Sequence, residues 1–284
     1  MTDHKFVSVT TVLSVLDKPA LPPWAANAVA DNFIADPQYW AQEAIRDPHE
    51  CRTRLAASRF KPPAGSTRTA TQLGTDIHDL AERWAIDGIR PIWDEQDEIH
   101  PYMCQYGRFL DLYQPTYQAA EMTVYNLDYR YAGTCDGIMT INGVRYIVDY
   151  KTSRKSVDAK GKQTRPYPEA AAQLAAYRYA DLVAIWTPRK EEAWSSRWYF
   201  ASDEELAAVA ADPDLRSVPE VDLGLVIHIT TEHCHPHPTP ADERYFNYFL
   251  SILDVWEAQQ ALNKQAIGPV LDPPGTTLIT RSSR

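Results

Sequence analysis

Two aspartates, Asp136 and Asp149, lie where a β-hairpin would place them face to face. Residues 130–151 alternate in polarity with the period of a β-strand, and Asn142 followed by Gly143 is the preferred pair for a two-residue type I′ turn. A turn of two residues fixes the hairpin register, because a slip by one residue would move every side chain to the other face. In that register Asp136 stands directly opposite Asp149.

The facing carboxylates of Asp136 and Asp149 would need compensation. Directly opposite residues have Cβ atoms about 5 Å apart, and two carboxylates at that range repel by roughly 3 kcal/mol at an effective dielectric constant of about 20. A shared proton or a bound cation would relieve this repulsion, and a hard divalent ion such as Mg²⁺ prefers carboxylate oxygens. Lys151 falls on the same strand face as Asp149. The alternative is a pair of solvated aspartates on an edge strand.

The elements around this hairpin predict an α/β fold, with helices packed around a mixed sheet. Helices are predicted over five stretches: 1–60, 75–86, 101–113, 169–186 and 241–263. Strands are predicted in the hairpin and over three further stretches: 121–125, 194–200 and 223–230. We expect residues 1–70 to be a helical N-terminal part of the same domain as a core over 71–265, followed by a loosely held tail over 266–284.

Four short motifs, in chain order between residues 70 and 180, resemble those of the PD-(D/E)XK nucleases. The motifs are G-x-x-x-H at Gly74–His78, G-T-x-D at Gly133–Asp136, D-x-K at Asp149–Lys151 and Q-x-x-x-Y at Gln173–Tyr177. The combination is most similar to the RecB-like and phage-type exonucleases, a branch that includes CRISPR-associated RecB-like exonucleases. The resemblance implies a restriction-endonuclease-like core. It also implies a metal-dependent DNA exonuclease that hydrolyses phosphodiester bonds in phage or bacterial recombination, replication or repair.

The same resemblance implies roles for individual residues. Ligands for Mg²⁺ or Mn²⁺ are expected from four residues: His78, Asp136, Asp149 and, through its backbone carbonyl, Tyr150. Lys151 would orient the attacking water or stabilise negative charge as it develops. Glu121, which opens the strand before the hairpin, would belong to the catalytic site or support it. The alternatives are a packing histidine at position 78 and a surface acid at Glu121.

Contacts with DNA are predicted at a basic segment and at one helix face. The net charge of −10 argues against a nonspecific nucleic-acid coat, but residues 151–165 are rich in bases. Phosphate contacts are predicted for four of these: Arg154, Lys155, Lys160 and Lys162. Gln173 and Tyr177 share one helix face, and the family uses this pair near the DNA or the lysine. The alternatives are a solvated loop and a packing face. The expected substrate is linear DNA ends, single- or double-stranded.

Neither the cysteines nor a histidine-rich segment has the spacing of a metal-binding motif. The four cysteines, at 51, 104, 135 and 234, lack the clustered spacing of the iron–sulfur members of the family, so we expect reduced thiols and no cluster. The segment 233–237 contains three histidines, but its tight spacing does not match common zinc patterns. Prolines interrupt this segment, and we expect an exposed strand or turn there.

No run of about 18 apolar residues and no secretory signal occur, which predicts a cytoplasmic protein without a membrane partner, in the host cytoplasm if the chain is phage-encoded. A single-strand annealing or recombination protein is the protein partner that the resemblance suggests. Two other functions stay open. One is a catalytically inactive DNA-binding or assembly subunit on the same fold, and the other is a structure-specific endonuclease.

Overall fold

A computed structural model describes residues 6–19, 21–63, 65–158, 160–184, 215–262 and 266–268. The strand predicted at 194–200 lies outside the described residues, as does all but the start of the predicted tail over 266–284. In the described part of the chain, no helix combines the length and apolarity that crossing a membrane requires.

The described strands form one mixed sheet. They are β1 (Val7–Ser8), β2 (Thr116–Asn126), β3 (Tyr131–Ile141), β4 (Val144–Thr152), β5 (Leu182–Ala184), β6 (Leu215–Ser217), β7 (Leu223–Ile229) and β8 (Cys234–Thr239). Their order is β6-β5-β2-β3-β4-β7-β8, with β1 alongside β3. β1 is parallel to β3 and β4 is parallel to β7, whereas the other neighbours are antiparallel.

The described helices cover both faces of the sheet, so the predicted α/β fold with a mixed sheet flanked by helices is confirmed. They are α1 (Val9–Leu13), α2 (Leu21–Ala35), α3 (Pro37–Arg46), α4 (Pro48–Ala57), α5 (Ala70–Asp87), α6 (His100–Tyr113), α7 (Ala170–Arg178) and α8 (Glu243–Leu262). A short 3-10 turn, Ser58–Phe60, follows α4. Helices cover most of the described residues up to 60, as predicted, but β1 and the turn over 14–19 are not helical.

Two apolar clusters join the helices to the sheet. On one face, Ile77 of α5 and Tyr106 of α6 belong to the same buried cluster as Val148 of β4. On the other face, Leu174 of α7 and Phe249 of α8 share a buried cluster with strand residues. β4 contributes to both clusters, so its alternate side chains are buried on opposite sides. The central position of β4 in the sheet therefore gives its residues a rigid frame.

The predicted hairpin is confirmed in position and register. β3 and β4 pair from Ile141 opposite Val144 as far as Gly137 opposite Val148. The two turn residues between them have φ angles of 51° and 81°, as a type I′ turn requires.

The helix predicted over 169–186 is too long, and sheet pairing explains why it ends early. The predicted helix over 169–186 ends at Arg178, and the chain then enters β5, where Val183 pairs with Val124 of β2. Helix propensity is a weak preference that such tertiary pairing overrides. The segment 233–237, expected as a turn or exposed strand, contributes most of β8. Its prolines are tolerated because β8 is the edge strand of the sheet.

Candidate metal centre

β3 and β4 separate beyond Gly137, and this separation corrects the prediction that Asp136 and Asp149 form a ladder pair. The N–H of Tyr150 donates to the Asp136 carboxylate over 2.5 Å. β1 pairs with the N-terminal end of β3. The Asp136 carboxylate therefore lies in the opening between β3 and β4, where its oxygens can approach those of Asp149 without a backbone pairing.

Asp149 is buried and held by two side chains. Its Oδ1 accepts a hydrogen bond from Gln173 Nε2 at 2.9 Å, and its Oδ2 lies 2.6 Å from Lys151 Nζ. The Gln173 Oε1 atom lies 3.4 Å from the same ammonium. The Gln173 side chain therefore fixes both the carboxylate and the lysine of the D-x-K motif.

The predicted DNA contacts of Gln173 and Tyr177 are corrected by their burial. Tyr177 is 1% exposed and Gln173 is 8% exposed, so neither side chain reaches a ligand on the surface in this conformation. Gln173 Nε2 lies 2.9 Å from the Tyr177 hydroxyl. Gln173 instead contacts Asp149 and Lys151, and Tyr177 contacts Gln173.

Two glycines of the predicted motifs allow close approach between elements. A Cβ atom on Gly133 would lie 2.6 Å from Cε1 of Tyr177, so only glycine leaves room for the tyrosine ring. A Cβ atom on Gly74 would lie 3.2 Å from Oγ1 of Thr152, at the end of β4. The first approach sets α7 against β3, and the second sets α5 against β4.

His78 projects from α5 toward the opening of the hairpin. Its Nδ1 atom lies 4.0 Å from the Asp136 carboxylate, and its ring centre lies 5.7 Å from that of Tyr150. Burial lowers the pKa of His78, and the charges of Asp149 and Glu121 offset this only in part. The neutral imidazole is the form that ligates a metal. The structure thus brings His78 close to Asp136.

The electrostatics of the opening favour a cation. Burial raises the pKa of Asp136, and the nearby charge of Asp149 raises it further, because two carboxylates there disfavour ionisation. Burial alone would lower the pKa of Lys151, but Asp149 and Asp136 outweigh it and raise that pKa. The lysine therefore stays charged beside the carboxylates and offsets one of their negative charges.

Glu121 lies beside the opening with an unusual backbone. Its φ of 42° is positive within β2, a conformation that costs free energy for a residue with a side chain. The Glu121 charge raises the pKa of both Asp136 and His78, which agrees with its predicted place in or near the site.

Two acidic residues near the site were missed by sequence reasoning. Carboxylate oxygens of Asp79, Glu82 and Glu121 lie within 4.8 Å of one another. Asp79 and Glu82 follow His78 on α5 by one and four residues, so Glu82 shares the helix face of His78. The four-residue spacing of His78 and Glu82 is the feature of the sequence that could have indicated Glu82. The site is consequently richer in acid than the predicted ligand set.

Tyr150 is fixed by its side chain as well as by its backbone. Its hydroxyl lies 3.1 Å from that of Tyr106 and 3.2 Å from that of Tyr117, and the latter two hydroxyls are 2.6 Å apart. This buried trio joins α6, β2 and β4. It holds Tyr150 between the two candidate site residues Asp149 and Lys151.

The basic segment divides into a bound arginine and exposed lysines. Arg154 donates to the Glu98 carboxylate and to the Arg68 carbonyl, so its predicted role as a free phosphate contact is corrected to one of structural bonding. The side chains of three lysines are exposed: Lys155, Lys160 and Lys162. The backbone N–H groups of Lys160 and Lys162 donate to Asp158, which shapes this turn.

The donor set fits a hard divalent ion such as Mg²⁺ or Mn²⁺. Carboxylates of Asp136, Asp149 and Glu121 supply the oxygens that these ions prefer, and the neutral His78 imidazole supplies a nitrogen. The raised pKa of Asp136 marks a place where positive charge would be favourable. The cysteines described are free thiols, and the lack of an iron–sulfur cluster stays a prediction.

Comparison with known proteins adds little to this geometry. No protein-family model matches the chain, and no curated protein matches it. Among solved structures, the crystal structure of SSO0001 aligns with 66% of this chain and 86% of that chain, at 14% identity and a TM-score of 0.25. A likeness this weak leaves the site geometry as the basis for a functional conclusion.

Proposed function

We propose that this chain is a metal-dependent DNA exonuclease of the PD-(D/E)XK type, acting on linear DNA with Mg²⁺ or Mn²⁺. The observation that carries the proposal is the convergence of Asp136, Asp149 and Lys151 at the opening of one hairpin. His78 from a separate helix approaches the same opening. Three elements thus supply side chains to one small volume, and their types are those of metal-assisted phosphodiester hydrolysis.

Each residue of the chain has a distinct task in this proposal. Asp136, Asp149 and His78 would hold the ion, with Glu121 beside them. A bound ion would lower the pKa of a water molecule and neutralise charge on the phosphate. Lys151, whose pKa is raised by its carboxylate neighbours, keeps its proton and stabilises the negative charge that develops on the phosphoryl oxygens.

The DNA would approach along the exposed lysines. Lys155, Lys160 and Lys162 lie in the segment that directly follows β4, the strand that carries Asp149 and Lys151. Phosphate contacts of this kind supply affinity without sequence preference. Such a path suits an enzyme that degrades DNA ends in recombination, replication or repair. Its proposed protein partner is a single-strand annealing or recombination protein.

Digestion of matched DNA substrates tests the proposal. Linear DNA, single- and double-stranded, and covalently closed circular DNA are incubated with the full chain in Mg²⁺, in Mn²⁺ and in EDTA. We expect loss of one or both of the linear substrates with either metal, survival of the circle, and no digestion in EDTA. Cleavage of the circle would indicate an endonuclease. Binding of DNA without any cleavage would indicate an inactive DNA-binding subunit.

A further inference from the structure

Four histidines lie together at the edge of the sheet, apart from the carboxylate site. His228 lies on β7 directly opposite His235 of β8, His237 follows on β8, and His233 precedes that strand. The ring centre of His228 lies 5.6 Å from that of His233 and 6.3 Å from that of His237. The rings of His233 and His235 are stacked at 4.3 Å. Four imidazoles thus share one small region.

Three of these imidazoles have a buried nitrogen without a hydrogen-bond partner among the described residues. The atoms are Nδ1 of His228, Nε2 of His233 and Nε2 of His237. His228 itself is 1% exposed. A buried polar atom left unpaired costs about 1–3 kcal/mol, so three such atoms on neighbouring rings point to one shared ligand.

One ring nitrogen of His228 and one of His235 form hydrogen bonds with the segment that follows β4. Nε2 of His228 lies 2.9 Å from Oγ of Ser153, and Nδ1 of His235 lies 3.1 Å from Nε2 of Gln163. Metal-binding histidines commonly use their second ring nitrogen for a hydrogen bond that orients the ring. In His228 this leaves Nδ1, the unpaired atom, as the only nitrogen for a ligand.

Three of these imidazoles favour the neutral form, which suits a cation better than an anion. Burial and, to a smaller extent, the neighbouring histidines together lower the pKa of His228 to about 4. Burial also lowers the pKa values of His233 and His237. Neutral imidazole offers a lone pair to a metal, whereas a phosphate group would find no positive charge on these three rings.

We propose a second metal site, for zinc or a similar imidazole-preferring transition ion, with His228 Nδ1, His233 Nε2 and His237 Nε2 as ligands. Two imidazoles on one tetrahedral ion have ring centres roughly 5 Å apart, given metal–nitrogen distances of about 2.1 Å. The ring centre of His228 lies farther than this from both partners, 5.6 Å from that of His233 and 6.3 Å from that of His237. Within the described ranges, the acidic group of Asp79, Glu82 and Glu121 alone brings three ligand atoms within 4.8 Å, so the three imidazoles would have to move closer together to bind one ion.

Cys234 is excluded from this ligand set by strand alternation. It pairs with Ile229 and belongs to the apolar cluster on the opposite face of the sheet, together with Tyr106. The site is thus one of imidazoles alone, and its ion differs in class from the Mg²⁺ or Mn²⁺ expected at the carboxylates.

An ion at this site would stabilise the segment after β4. It would join β7 to β8, and the hydrogen bond between Ser153 and its ligand His228 would connect it to the start of the lysine-bearing turn. At the other end of that turn, Gln163 bonds the neighbouring His235. Ser156 adds a further contact, because its hydroxyl donates to Oγ1 of Thr230 at the end of β7. The proposed role is therefore structural and independent of the nuclease proposal.

Metal titration of the full chain tests this site. We use an Asp136→Asn background so that the carboxylate site does not contribute, and titrate Zn²⁺ by calorimetry and Co²⁺ by visible absorption. We expect one equivalent of each ion with the absorption of nitrogen-coordinated Co²⁺. The double variant His233→Gln/His237→Gln should bind at least about 100-fold more weakly, since loss of even an outer-shell partner costs roughly 10–100-fold.

A matched control is His49→Gln, which removes an exposed histidine from α4 and should leave the titration unchanged. Circular dichroism in EDTA checks that each variant is folded. If the double variant does not fold, the single variant His237→Gln takes its place with the same expectation. Unchanged affinity in the folded ligand variant would overturn the proposal. So would a parent chain that takes up no stoichiometric equivalent of Zn²⁺ or Co²⁺.

Discussion

At the scale of single residues, Asp149 and Lys151 form one ion pair but have separable roles. Nζ of Lys151 lies 2.6 Å from Oδ2 of Asp149, and the Gln173 side chain contacts both residues. The carboxylate can ligate a cation, whereas the protonated ammonium cannot. In the proposed enzyme, the ammonium would therefore compete with a metal for the carboxylate before substrate arrives and would contribute to hydrolysis afterwards.

Variants of the two residues should accordingly fail in different ways. Asp149→Ala should lose both metal binding and hydrolysis. Lys151→Ala should bind metal as well as the parent or better, because a repelling charge is removed, while hydrolysis falls by roughly 10²-fold or more. Calorimetric Mn²⁺ titration and cleavage rates are measured on each, with Lys155→Ala as the control for a nearby lysine. Normal metal binding by Asp149→Ala would refute its assignment as a ligand.

The raised pKa of Asp136 predicts a pH-dependent response to metal. A carboxyl whose pKa is raised by folding stabilises the protein below its ordinary pKa, and that stability is lost as pH rises through the raised value. A divalent ion replaces the proton, so the increase in Tm caused by Mg²⁺ should grow from about pH 5 to about pH 8. Thermal melts in EDTA and in Mg²⁺ measure this. In Asp136→Asn the Mg²⁺-induced increase in Tm should no longer depend on pH. An increase in Tm that is independent of pH in the parent chain would contradict the prediction.

At the scale of elements, the sequence predicted the hairpin but not its opening. The two-residue turn fixes the register locally, so Asn142 and Gly143 were enough to predict it. At the N-terminal end of β3, beyond its pairing with β4, the partner at Tyr131 is β1, which comes from more than a hundred residues away. Likewise, the end of α7 depends on pairing of β5 with β2. Local sequence patterns do not predict strand pairing between such distant segments.

The close approach of α7 to β3 provides a test of element packing. Gly133→Ala places a Cβ 2.6 Å from the Tyr177 ring, and overpacking of this kind costs about 1–3 kcal/mol. Tyr177 contacts Gln173, so the displacement should also lower the rate of hydrolysis. Chemical denaturation and cleavage assays measure the two effects. Gly268→Ala, at an open position, is the control, and equal stability of the two variants would be the contrary result.

The lysine-bearing turn should contribute to DNA binding by neutralising phosphates. Replacing Lys155, Lys160 and Lys162 by alanine should weaken binding and reduce the slope of log affinity against log salt by about one unit for each phosphate that is no longer neutralised. Arg154→Ala should instead lower stability, because Arg154 bonds to Glu98 and the Arg68 carbonyl. Fluorescence anisotropy at several salt concentrations measures the slope. An unchanged slope in the triple variant would mean that the turn does not touch DNA.

At the scale of the whole molecule, the distribution of charge explains how a protein with net negative charge could bind DNA as proposed. The chain carries a net charge of −10, and the proposed site adds a dense group of carboxylates from α5, β2, β3 and β4. Without a cation this group would repel phosphate. With one or more divalent ions bound, the same group would attract it. The proposed enzyme therefore requires metal for binding at the site as well as for chemistry.

Metal-dependent digestion by the parent chain and Asp149→Asn, purified side by side, tests the central claim most directly. The substitution keeps the shape of the side chain and its hydrogen bond from Gln173 while removing the charge that would bind metal. Release of nucleotides from linear DNA is followed in Mg²⁺ and in Mn²⁺. We predict digestion by the parent and its loss in the variant by at least about 10²-fold. Equal digestion by both proteins, or none by a folded parent with either metal, would contradict the account.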